Sequence, residues 1–199
     1  MKSRLELHLT CDVPHESQIP FFVAVCEQIG LRPLLIDHHR DNGGERNRQL
    51  SATAWLRADL EEAKAEAMAL AQWLARAGMA VLGVKVDAPV QDADQLDCDG
   101  QYFEWRGKLR QQQCDMSALQ QLCEAHGAQL SRDSLREEAC TCFVTLRSCE
   151  SLEEFTSRVS AVTGQLERDG WPVLKQDSEI CLLDSRELPR NCSCNDICT

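Results

Sequence analysis

The chain has no apolar run of membrane-spanning length, no apolar signal-peptide core at its start, no excess of positive charge and no paired C-x-x-C motif. Each absence removes a class of function. A membrane helix needs about 20 consecutive apolar residues, so none is expected. The opening Met1-Lys2-Ser3-Arg4-Leu5-Glu6-Leu7 alternates in polarity instead of presenting an apolar core, which points to the cytoplasm. Lys and Arg number 21 against 32 Asp and Glu, giving a net charge of -11, and the basic residues are scattered. That balance repels phosphate backbones and argues against general nucleic-acid binding. Twelve cysteines without an export signal are expected to be thiols or metal ligands, not a disulfide framework.

What is present is a pattern met twice. Leu56-Arg57 leads into Asp59-Leu60-Glu61-Glu62, a long amphipathic run, Gly78 and Val81-Leu82. Leu146-Arg147 leads into Ser151-Leu152-Glu153-Glu154, a similar run, Gly170 and Val173-Leu174. At 199 residues each half is near the lower size for a self-sufficient core, so two halves that lean on each other are expected. Residues 4 to 10 alternate, with Leu5, Leu7 and Leu9 on one side and Glu6, His8 and Thr10 on the other, as in a half-buried strand. Ser17 is a candidate cap for a helix bearing Phe22, Val23 and Cys26, and Asp59 with Glu62 forms the signature of a capping box. Leu82, Val84 and Val86 are expected to face the helices. The predicted order is strand, helix, strand, strand, helix, strand, with Glu104 and Arg106 of the second half taking the places of Glu6 and His8.

This order resembles the ferredoxin-like fold. The resemblance implies an α+β protein of two ferredoxin-like βαββαβ repeats with antiparallel sheets: residues 1–90 and 101–186, joined by an acidic linker at 91–100 and followed by a Cys-rich tail at 187–199. It also resembles the dimeric alpha/beta barrels, in which two such sheets pack face to face around a ligand. The segments Tyr102-Phe103-Glu104, 126–132 and 143–147 resemble those of an uncharacterised bacterial family with two such repeats. Arg106 stands where that family has histidine, and Asp133 where it has asparagine.

A helix-free face bearing Glu, His, Arg and Trp cannot be an ordinary apolar core. The expected site there combines Glu6 and His8 as an acid–base pair with Trp55 and either Phe103 or Trp105 as apolar wall. Arg57 and Arg147 are placed to grip a small anionic molecule bidentately, with Glu104 and Arg106 alongside. On an open surface the same residues would be solvated cross-strand pairs, and the protein a non-enzymatic regulatory partner or homo-oligomer. Two metal sites compete with this reading. Cys192, Cys194 and Cys198, with Cys140, Cys142 and Cys149, could gather thiolates for zinc or copper(I). Asp37, His38 and His39, with His15 or His8, could hold a divalent ion beside a loop whose Arg40, Arg46 and Arg48 suit phosphate or carboxylate.

Overall fold

A computed structural model describes residues 2–12, 15–38, 47–96, 101–110, 116–135 and 141–186. The strands are β1 (Ser3–Cys11), β2 (Arg32–His38), β3 (Asn47–Ala58), β4 (Val81–Pro89), β5 (Tyr102–Arg110), β6 (Ala128–Asp133), β7 (Thr141–Ser148) and β8 (Val173–Asp184). The helices are α1 (Ile19–Gln28), α2 (Leu60–Arg76), α3 (Met116–Ala125) and α4 (Leu152–Arg168). Short 3-10 turns occupy Glu16–Gln18 and Val90–Gln95. No helix among the described residues is long and apolar enough to cross a membrane.

Local chemistry sets the helix ends. Asp59 and Ser151 each accept the backbone N–H three residues on, and Glu62 and Glu154 return the bond to the cap. Two orphan donors are thereby satisfied at each start. Gly78 and Gly170 close these helices at φ 86° and 80°, where a Cβ would be strained. Ser17 does not cap α1. It lies in the preceding turn, its N–H held by His15 Nδ1, and Gln18 occupies the cap without a side-chain bond.

The expectation of two sheets, separate or packed face to face, is overturned. Within each half the strand order is that of a ferredoxin-like unit, but the eight strands run β1-β3-β2-β6-β7-β5-β8-β4 and close into one antiparallel barrel. The halves meet edge to edge. One seam pairs β2 with β6, Ile36 to His38 facing Asp133 to Ser131; the other pairs β4 with β8 along Lys85 to Pro89. An open sheet edge leaves a row of unpaired N–H and C=O groups, and closure removes every edge at once. Asp37 tightens the first seam, accepting from Arg48 Nε at 3.0 Å and from the Ser134 hydroxyl. Asp133 Oδ1 adds to it by accepting from the N–H of Leu35 and of Leu135.

Alternation then sorts the side chains. Leu5, Leu7 and Leu9 are buried with Phe22, Cys26, Ala63, Ala67 and Leu74 beneath α1 and α2, each leucine contributing roughly 2 kcal/mol. Trp105, Leu109, Val144 and Leu146 pack with Leu119, Phe155, Val162 and Leu166 beneath α3 and α4. Leu82, expected on the helix side, is 56 % exposed. A bulge opposite Thr10 and Cys11 pairs these residues with Gly83 and Val81, leaving Leu82 as the extra residue. Cys142 faces the helix-side core, and burial raises its thiol to about 11, so it packs as a small hydrophobe instead of presenting a thiolate.

Trp105 imposes a local constraint. Its indole N–H donates to Gln176 and its ring covers Gly107, where a Cβ would lie 2.5 Å from the indole Cη2. Gly107→Ala is expected to lose about 1–3 kcal/mol of stability in urea denaturation, because neither the buried ring nor the strand can withdraw. An unchanged midpoint would show that the indole has room to move.

Candidate functional site

Because the leucines of β1 take the helix side, Glu6 and His8 point into the barrel. β4 delivers Lys85 and Asp87 in alternation with Val84 and Val86, with His8 opposite Lys85 and Glu6 opposite Asp87. β5 contributes Tyr102, Glu104 and Arg106, β7 contributes Arg147, and β8 contributes Glu179 and Asp184. Eight strands enclose an interior just wide enough for side chains to fill or for one small ligand. Here that interior is charged.

Glu104 is the hub of the basic side. It accepts from Arg106 and from Arg147 Nε, both at 2.7 Å, and lies 3.1 Å from Lys85 Nζ. Burial alone would raise its pKa, but Lys85, Arg147 and Arg106 hold it well below the usual carboxylate range. Tyr102 donates to Asp184 at 2.8 Å beneath Lys85 and Arg147, and burial pushes its phenol far above the ordinary value.

The opposite side is acidic. His8 Nε2 lies 3.1 Å from Asp87 Oδ2 and 3.5 Å from Glu6 Oε2, and the donor atoms of Glu6, His8 and Glu179 all fall within 4.8 Å of one another. Asp87 is fully buried, with Lys85 Nζ at 2.8 Å. His8 Nε2 and both Asp87 oxygens nevertheless have no hydrogen-bond partner among the described residues, because these close approaches fall outside hydrogen-bond angles. Burial would lower the His8 pKa, but Asp87 and Glu6 raise it to about 9. Burial together with the charges of Asp87 and Glu6 pushes Glu179 up to about 8. Glu6 and Asp87 stay below the ordinary range despite burial, Glu6 through His8 and Arg106, Asp87 through Lys85 and His8.

The expected site residues thus divide. Glu6, His8, Glu104 and Arg106 converge in the barrel, and Arg147, its side chain 42 % exposed, reaches Glu104 from the solvent side. Trp55 and Arg57 do not join them: Trp55 is 45 % exposed with Arg4 stacked 4.1 Å over its ring, and Arg57 is exposed opposite Arg4. The two halves also differ in register, since Glu6 faces Trp55 whereas Glu104 faces Arg147. Trp105 and Phe103 turn toward the helices, Phe103 stacking on Phe155 at 5.2 Å. Asp37 and Arg48 are engaged at the seam, with Arg48 also bound to Glu16. His39, Arg40, Arg46, Cys140, Cys192, Cys194 and Cys198 lie outside the described residues.

Sequence reading missed Lys85, Asp87, Glu179, Tyr102 and Asp184. The signal for the first two was present, since residues alternating with Val84 and Val86 must face away from the helices. Glu179 was hidden by the bulge between Val86 and Asp87 that fixes how β8 meets β4.

No protein-family model matches the chain, and no curated protein matches it. Among solved structures, it is similar to a mutant chlorite dismutase from Candidatus Nitrospira defluvii at 12 % identity and TM-score 0.32, covering 92 % of each chain. It is also similar to the ligand-free regulatory subunit of aspartate kinase from Thermus thermophilus at 14 % identity and TM-score 0.31, covering 80 % of this chain and 93 % of that one. These values assign no activity, and the expected kinship with an uncharacterised two-repeat family gains nothing from them.

The pKa directions fix a pH dependence. Raised folded-state values for His8 and Glu179 mean that the folded chain holds protons the unfolded chain has released. The His8 contribution is complete below about pH 6.5 and lost through about 9, and that of Glu179 is complete below about 4.5 and lost through about 8. Stability in urea is expected to decline between pH 6.5 and 9, before the buried thiols begin to contribute. The His8 part is of order 3 kcal/mol. His8→Gln should flatten this slope, and an equally steep decline in that variant would remove His8 as its origin.

Proposed function

We propose that the protein binds a small positively charged ligand on the acidic side of its barrel interior. The observation that carries this reading is the segregation of charge. Glu104 gathers Lys85, Arg106 and Arg147, while Glu6, Asp87 and Glu179 surround His8 and share the charges of Lys85 and Arg106 with Glu104. Of the two arginines expected to grip an anion, Arg57 lies outside the barrel and Arg147, together with Arg106, already holds Glu104. A cation placed between Glu6, His8 and Glu179 would meet two carboxylates whose charges otherwise repel, one of them kept neutral at mid-range pH. The supported activity is binding, with His8 positioned to give or take a proton beside the ligand.

Calorimetric titration with butane-1,4-diamine and with citrate tests the sign of the ligand. The diamine is expected to bind, with at least a tenfold loss of affinity in Glu6→Gln and in Glu179→Gln, and citrate is not. Citrate binding in the absence of diamine binding would reverse the reading.

A further inference from the structure

We infer that the Glu6, His8 and Glu179 cluster is a binding site for a divalent first-row transition ion, with Asp87 completing its shell. This rests on the cationic reading above and narrows it to one class of cation. The spacing fits coordination. Two ligand atoms each about 2.1 Å from a tetrahedral ion sit about 3.4 Å apart. His8 Nε2 stands 3.5 Å from Glu6 Oε2 and 3.1 Å from Asp87 Oδ2, and the Glu179 carboxylate lies within the same 4.8 Å span as Glu6 and His8.

A second observation is independent of that spacing. His8 Nε2 and both oxygens of the fully buried Asp87 make no hydrogen bond of ordinary geometry, and their close contacts are the ion pairs of Asp87 Oδ2 with His8 at 3.1 Å and with Lys85 at 2.8 Å, although buried polar atoms are ordinarily hydrogen-bonded. A metal ion satisfies such atoms without the angular demand of an N–H···O bond. The charge also closes, since a dication together with Lys85 balances the carboxylates of Glu6, Asp87 and Glu179. One imidazole nitrogen among several carboxylate oxygens suits manganese, iron or zinc better than magnesium or calcium, which prefer all-oxygen shells. The site is distinct from the thiolate cluster expected at Cys192, Cys194 and Cys198, and a hard ion discriminates between the two.

Titration of the full chain with Mn2+, followed by electron paramagnetic resonance, tests the inference. One bound Mn2+ per chain is expected, with nitrogen coupling from an imidazole in the pulsed spectrum. His8→Gln should abolish that coupling, and Glu179→Gln should weaken binding at least tenfold; circular dichroism and a thermal melt confirm that each variant is folded. If His8→Gln does not fold, the wild-type nitrogen coupling and Glu179→Gln still decide the matter. Bound Mn2+ without nitrogen coupling, or with affinity unchanged in Glu179→Gln, would overturn the inference. Diamine binding without Mn2+ binding would overturn it while leaving the cationic reading intact, and the absence of both would remove the two together.

Discussion

Closing eight strands on themselves leaves the side chains that alternate away from the helices largely cut off from bulk water. In this chain those side chains include Glu6, His8, Lys85, Asp87, Glu104, Arg106 and Glu179. Ionised groups in such a place must find partners or give up their charge. The barrel meets that demand unequally. Glu104, with three cations around it, is satisfied both in charge and in hydrogen bonds. Glu6, Asp87 and Glu179 have fewer cations, and the balance is made up by protons held on His8 and Glu179 beyond their ordinary range. A cation that binds among strands β1, β4 and β8 therefore takes the place of those protons.

Closure also depends on a short seam. β2 and β6 share three register pairs, whereas β4 and β8 share five. The shorter seam is reinforced by side chains: Asp37 ties Arg48 of β3 to Ser134 beyond β6, and Asp133 reaches two backbone N–H groups across and beside the join. What resembled a metal-binding lip at Asp37 and a basic capture loop at Arg48 is, at those two residues, part of the fastening. The same carboxylate cannot serve both roles without loosening the barrel.

The positions of Trp55 and Arg57 show how register separates residues that share a strand face. Both alternate with the helix-side residues of β3, as Thr53 does. Pairing with β1 places Thr53 opposite His8, Trp55 opposite Glu6 and Arg57 opposite Arg4. Side chains two residues apart on β3 thus pass from buried to exposed, and the tryptophan is covered by an arginine instead of lining the interior.

The sequence by itself determined the helices, the capping boxes of α2 and α4 with their left-handed glycine ends, the order of elements, and the side of each strand on which Glu6, His8, Glu104 and Arg106 lie. Those properties are written within a few neighbouring residues, as period-two alternation, capping pairs and glycine stops. Only the tertiary structure decided that the two halves share one barrel, that Lys85, Asp87 and Glu179 meet His8, and that Arg57 stays outside. Those outcomes rest on backbone ladders between strands about a hundred residues apart and on single-residue bulges in β4 and its partners. Backbone N–H and C=O groups are the same at every residue, so the choice of which edges join carries no local side-chain signature.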